Sequence, residues 1–258
     1  VVELFHIVCS TIANTSLLSH ICAILIRVMI SYYFSDEQHA AITAKDSIHA
    51  NGWIRAERPS DDEQSLLAGL GIDSDLLTDA LDPHEVPRIE YDDGWTYLIT
   101  RVPDVGDDFN DFTTPVMFAI GASQIVTVSR DPLGRLWQPF IDASTTPTSQ
   151  RTRFLIEAIE MIIRSYQTRV ATINRQMRAA TSDIRTLRPS DIAIFVEYER
   201  KLNDYLDALI PTNTAVEKSL SGRILKLQED DKDLVEDLSV DLEQVIARCK
   251  SLLRTITN

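Results

Sequence analysis

The sharpest pattern in the chain lies near its C-terminus, where Val235, Leu238, Leu242, Val245, Cys249, Leu252 and Ile256 recur at alternating steps of three and four. That spacing is the seven-residue repeat of a helix with one apolar seam. It predicts a long helix over 228–258 that packs on other long helices or in a coiled coil, and that continues past Asn258 in a longer protein. A second stripe, Leu155, Ile159, Ile162, Tyr166, Val170, Ile173 and Met177, predicts a helix from Gln150 to about Thr186, stopped by Pro189. Ser190 can then cap a further helix carrying Phe195, Tyr198, Leu202, Tyr205 and Leu209, which Pro211 interrupts or ends.

Upstream of Leu133 the pattern changes. β-Branched and aromatic residues predict strands at Ile30–Phe34, Ala40–Ala44, Gly52–Ala56, Arg88–Tyr91, Trp95–Val102, Pro115–Ile120 and Gln124–Ser129. Asp92-Asp93-Gly94 supplies the hairpin turn between the fourth and fifth. Two helices interrupt the strands. Ser60 with Glu63 forms a capping box that starts a helix ending near Gly69 to Gly71, and a second runs from Ser74 to Leu81 before the breakers Pro83 and Pro87. The fold class expected is α+β: a mixed sheet with flanking helices over 29–146, then a helical portion over 147–258. Residues 1–28 are apolar and acid-poor, and the run from Leu17 to Ile30 is broken by His20 and Arg27. It is short for a span of about 20 residues, and Arg27 follows the apolar stretch rather than preceding it as in a secretory signal. A start at Met29, behind an extension without function, is the expectation there.

Charge narrows the partners. A net charge of −14 excludes nucleic acid as the natural partner, because phosphate binding needs clustered Lys and Arg. A cation suits this field, although acidity alone also serves solubility. The three cysteines, Cys9, Cys22 and Cys249, show neither zinc-ligand spacing nor a disulfide framework.

No nucleophile motif, phosphate loop or HExxH occurs. Asp79, Asp82 and His84 are the one hydrolytic constellation that can be assembled, but Asp82 before Pro83 reads as turn chemistry and His84 as a solvated loop histidine. The chain is read as a non-enzyme. A second acidic stretch, Glu229-Asp230-Asp231-Lys232-Asp233 with Glu236, Asp237, Asp241 and Glu243, opens the C-terminal helix. By itself it is a solvated face favoured by the helix dipole.

The segment from Leu77 to Val102, with its acidic helix end, Pro stop, strand and hairpin, resembles the soluble domain of the CorA family of magnesium transporters. The run Trp53-Ile54-Arg55-Ala56-Glu57-Arg58-Pro59-Ser60-Asp61-Asp62-Glu63 is similar to that family's Trp-led strand and capped helix. The resemblance covers about Met29 to Asn258. It implies an α/β/α sandwich ending in a stalk helix, a homopentamer, a place on the cytoplasmic side of the cell (inner) membrane, and regulatory Mg²⁺ between subunits that favours the closed state. The family's regulatory carboxylate falls on Asp79, with its stalk partner beyond Asn258. A second family site places its stalk aspartate on Asp237 and its partner on Thr78, whose hydroxyl is a weaker ligand than a carboxylate; Asp241 is a further candidate. The family's Gly-Met-Asn signature is absent from these residues, so the resemblance implies that the membrane helices lie outside this chain. Other divalent cations, Co²⁺, Ni²⁺ or Zn²⁺, fit the same reading. The rivals are a ZntB-like zinc transporter domain and a helical oligomerisation scaffold with no metal role.

Overall fold

The computed structural model describes residues 30–39, 41–103, 113–181, 189–220, 224–225 and 227–257. The expectations for 1–28, for Ala40 and for the helix end near Thr186 lie outside these residues.

Seven strands, β1 (Ile30–Phe34), β2 (Thr43–Lys45), β3 (Trp53–Glu57), β4 (Arg88–Asp92), β5 (Trp95–Pro103), β6 (Thr113–Ile120) and β7 (Ile125–Ser129), form one sheet in the order β2-β1-β3-β7-β6-β5-β4. Among the described residues only β3 and β7 run parallel; every other pairing is antiparallel. Two strands depart from the sequence expectation by more than one residue at an end. The second is shorter and later than Ala40–Ala44, and the sixth begins at Thr113 rather than Pro115. Pro115 is accommodated in the interior strand β6, opposite Arg101. The β4–β5 hairpin turns as expected: Asp93 and Gly94 have φ of 40° and 86°, the paired positive values of a tight two-residue turn.

The two faces of the sheet carry different helices because side chains alternate along each strand. On one face Ile54, Ala56, Tyr97, Ile99, Met117, Ala119, Val126 and Val128 pack against α1 (Asp61–Gly69) and α2 (Ser74–Leu81). On the other, Trp53, Leu98, Val116, Phe118 and Ile125 join a larger core that continues into α3 (Gly134–Ala143), α4 (Arg151–Thr181), α5 (Pro189–Ser219) and α6 (Glu229–Thr257). The molecule is therefore a three-layer α/β/α arrangement with long C-terminal helices. Trp53 is the centre of the second core: it is fully buried, stacks on Tyr33, meets Trp137, Phe140 and Phe154, and donates its indole N–H to Thr127 Oγ1 at 2.9 Å.

Local signals explain the starts of α1 and α2. Ser60 accepts from the Glu63 backbone N–H while Glu63 accepts from that of Ser60, which completes the capping box of α1. Asp73 caps α2 by accepting from Asp75 and Leu76, and the Tyr97 hydroxyl accepts from the Asp73 backbone N–H. Two expectations for α5 are corrected. It begins at Pro189, whose missing N–H costs nothing in the first turn, so Ser190 lies inside the helix rather than capping it. Pro211 does not end that helix, which runs on to Ser219. Leu209, Thr212, Ala215 and Val216 are all buried on either side of it, and their packing outweighs the hydrogen bond lost at the proline.

The seam of α6 is consumed within the chain. Val235, Leu238, Leu242, Val245, Cys249 and Leu252 are all buried in the core shared with α4 and α5, with Ile256 packed at its margin. The acidic start of α6 also departs from a wholly solvated face, because Asp231 is buried and pairs with Arg153 at 3.5 Å.

Candidate metal-responsive surface

Asp79 sits in the last turn of α2, whose inner face is fixed by the buried Leu76, Leu77 and Ala80. Helical periodicity then turns Thr78 out to solvent and leaves Asp79 half-buried at the edge of the layer, its side chain 39% exposed. Thr78 donates its hydroxyl to the Ser74 carbonyl at 3.0 Å, which fixes the rotamer and leaves the oxygen lone pairs outward.

Asp79 is not alone. Arg88 Nη2 donates to Asp79 Oδ2 at 2.6 Å, Nη1 donates to Glu85, and Nε donates to Glu90. The route to this contact is the chain reversal through Pro83 and Pro87, after which β4 runs along the sheet edge. Its two-residue period points Ile89 into the core under the long helices and Arg88 and Glu90 toward the α2 side. Burial works against the Arg88 charge, but the hydrogen bonds to Glu90 and Asp79 outweigh it and raise the guanidinium's affinity for its proton. Sequence reading took Arg88 only as a strand start and missed its partners. The signal available was the i, i+2 pairing of Arg88 with Glu90 on one face of a strand.

The hydrolytic constellation separates. Asp82 accepts from the His84 backbone N–H at 2.8 Å, which is a turn contact, while Asp79 is taken by Arg88. Among the described residues no group of three or more His, Cys, Asp or Glu is arranged to hold a metal within one chain.

Asp237 is exposed and Asp241 half-buried on α6. They lie in the opposite helical layer from Asp79 and Thr78, with the sheet between, so the four sequence-predicted donors do not meet within one molecule. Their chemistry is uniform. Carboxylate and hydroxyl oxygens suit a hard cation such as Mg²⁺, and the buried thiol of Cys249 is no part of either face. A cavity of about 760 Å³ between α3, α4 and α5 contains none of these donors. Arg135, Arg169 and Lys201 in its wall are engaged with other groups. No described helix is long and apolar enough to cross a membrane.

Comparison with solved structures finds the same architecture in three structures of two proteins. The complete CorA magnesium transporter from Methanocaldococcus jannaschii matches at TM-score 0.76 and 19% identity, covering 90% of this chain and 75% of that one. The soluble domain of the same transporter matches at TM-score 0.76 and 20% identity, covering 90% and 95%. The ZntB cytoplasmic domain from Vibrio parahaemolyticus matches at TM-score 0.73 and 14% identity, covering 90% and 95%. At these identities the likeness is one of fold. No curated protein matches by sequence. The sequence model of the family described as CorA-like Mg²⁺ transporter protein matches residues 50–258, most of the chain, and the protein therefore belongs to the CorA-like Mg²⁺ transporter family.

Proposed function

We propose that this chain is the Mg²⁺-sensing and gating domain of a CorA-type divalent-cation transporter. It works on the cytoplasmic side of the cell (inner) membrane as a homopentamer. Its α/β portion (29–146) carries one half of each regulatory site, and its helical portion (147–258) carries the other half of the site at Thr78. The observation that carries this reading is the placement of Thr78 and Asp79 in one outer layer and Asp237 and Asp241 in the other, each reachable from solvent. Donors so arranged can share an ion only between two copies of the chain. Thr78 of one subunit then faces Asp237 of its neighbour, and Asp79 faces a stalk position beyond Asn258.

The chain's own part in gating is electrostatic. Carboxylates brought together across an interface in a protein of net charge −14 repel, and the interface loosens. Bound Mg²⁺ supplies the positive charge that removes this repulsion. Because Mg²⁺ keeps most of its waters and takes few protein ligands, a site split between subunits is weak, as a sensor of cellular concentration needs. The closed assembly is favoured by its greater affinity for the ion.

The experiment is limited proteolysis of the native full-length protein against Mg²⁺. Asp79→Asn and Asp237→Asn each remove one carboxylate ligand and are expected to raise the Mg²⁺ needed for half-protection by roughly tenfold. Protection unchanged in both variants sinks the reading and leaves a helical scaffold without a metal role. Zn²⁺ protecting at lower concentration than Mg²⁺ would instead favour the ZntB-like alternative.

A further inference from the structure

The sensing reading treats Asp79 as a waiting ligand, yet the structure gives it a resident counter-ion. Arg88 spends all three guanidinium nitrogens on three carboxylates: Nη2 on Asp79, Nη1 on Glu85 and Nε on Glu90. Glu85 is the most buried of the three, with 16% of its side chain exposed, against 39% for Asp79 and 46% for Glu90. The Arg88 backbone is held on the paired edge strand β4, in register with Ile99, and Glu85 and Glu90 still hold its guanidinium when Asp79 departs.

The charge count matters. Three carboxylates and one guanidinium leave the cluster at a net charge of −2, from three negative charges and one positive. A divalent cation brings that to zero without expelling the arginine. Arg88 loses its Asp79 bond when a cation takes Asp79 Oδ2, but it keeps Glu85 and Glu90, so its charge stays paired throughout. Occupation by the ion and pairing with Arg88 are thus alternatives for one carboxylate oxygen, and each weakens the other by the same factor.

We infer that Arg88 is a built-in competitor for the divalent cation at Asp79 and sets the concentration at which the site fills. This rests on the sensing reading above and adds a threshold to it. Arg88 is here a tuning residue, not a ligand.

The test is the same protease-protection titration with Mg²⁺ as the only divalent cation, run on the full-length protein and two variants. Arg88→Gln removes the competing charge, and the Mg²⁺ midpoint is expected to fall about fivefold, the upper range for a partly exposed ion pair. Arg88→Lys keeps the charge but not the three-way fork, and its midpoint falls about twofold. It carries the test if the glutamine variant fails to fold. Midpoints unchanged or raised in the folded variants overturn the inference. If wild type responds and Asp79→Asn is weakened while the Arg88 variants are unmoved, only the competitor role fails. If wild type shows no Mg²⁺ response, the sensing reading fails and takes the competitor role with it.

Discussion

At the scale of single residues, the clearest contrast is between positions whose partners are near in sequence and those whose partners are not. The Ser60–Glu63 capping box is readable from the chain because both halves lie within one helical turn. The Asp79–Arg88 contact spans nine residues and a chain reversal, and no spacing rule announces it. Cys249 was legible as a buried small hydrophobe from its place on the α6 seam, and the structure gives that a chemical consequence. Burial pushes its thiol up to about 12 from an ordinary value of 9.0. The folded protein therefore keeps the thiol proton over a pH range in which the unfolded chain releases it. The stability this contributes is present below about pH 9 and is lost as pH rises toward about 12. In the native protein at pH 8 a thiol reagent is expected to leave Cys249 unmodified, and to label it once urea unfolds the chain, as read by peptide mass mapping. Rapid native labelling would refute the burial.

Among the elements, α5 shows how tertiary packing overrides a local stop. Its continuation through Pro211 depends on what surrounds the next residue: Thr212 is buried, bonds the Ala208 carbonyl at 2.7 Å and meets Thr100 Oγ1 of β5 at 2.9 Å. That hydroxyl pair ties the helix to the sheet. Thr212→Val keeps the volume but strands the Thr100 hydroxyl, and is expected to cost about 1–3 kcal/mol in urea unfolding. A neutral result would mean that Thr100 finds another partner. The α6 seam was legible as long-helix packing. What the repeat could not disclose was whether its partner would be another copy or the chain's own α4 and α5, because an apolar stripe specifies that it must be covered and not by what.

For the whole molecule, one apolar core runs from Trp53 in the sheet to Leu252 near the end of α6. Leu242, fully buried within it, is expected to cost about 2–5 kcal/mol on replacement by Ala. Because the core is continuous, near-ultraviolet signals from Trp53 and Trp137 should be lost together with helical signal in the same thermal transition. Two separate transitions would show that the sheet and the long helices unfold independently. The sequence alone determined the kinds of element and most of their limits, since hydrophobic period, capping and turn chemistry act within a few residues. It also brought out Thr78, Asp79, Asp237 and Asp241 through family resemblance. Tertiary structure alone decided that α2 and α6 stand on opposite faces of the sheet and that Arg88 closes on Asp79. Those facts depend on strand order and on which face each strand turns to which helix, and such long-range choices are made by packing the whole core at once.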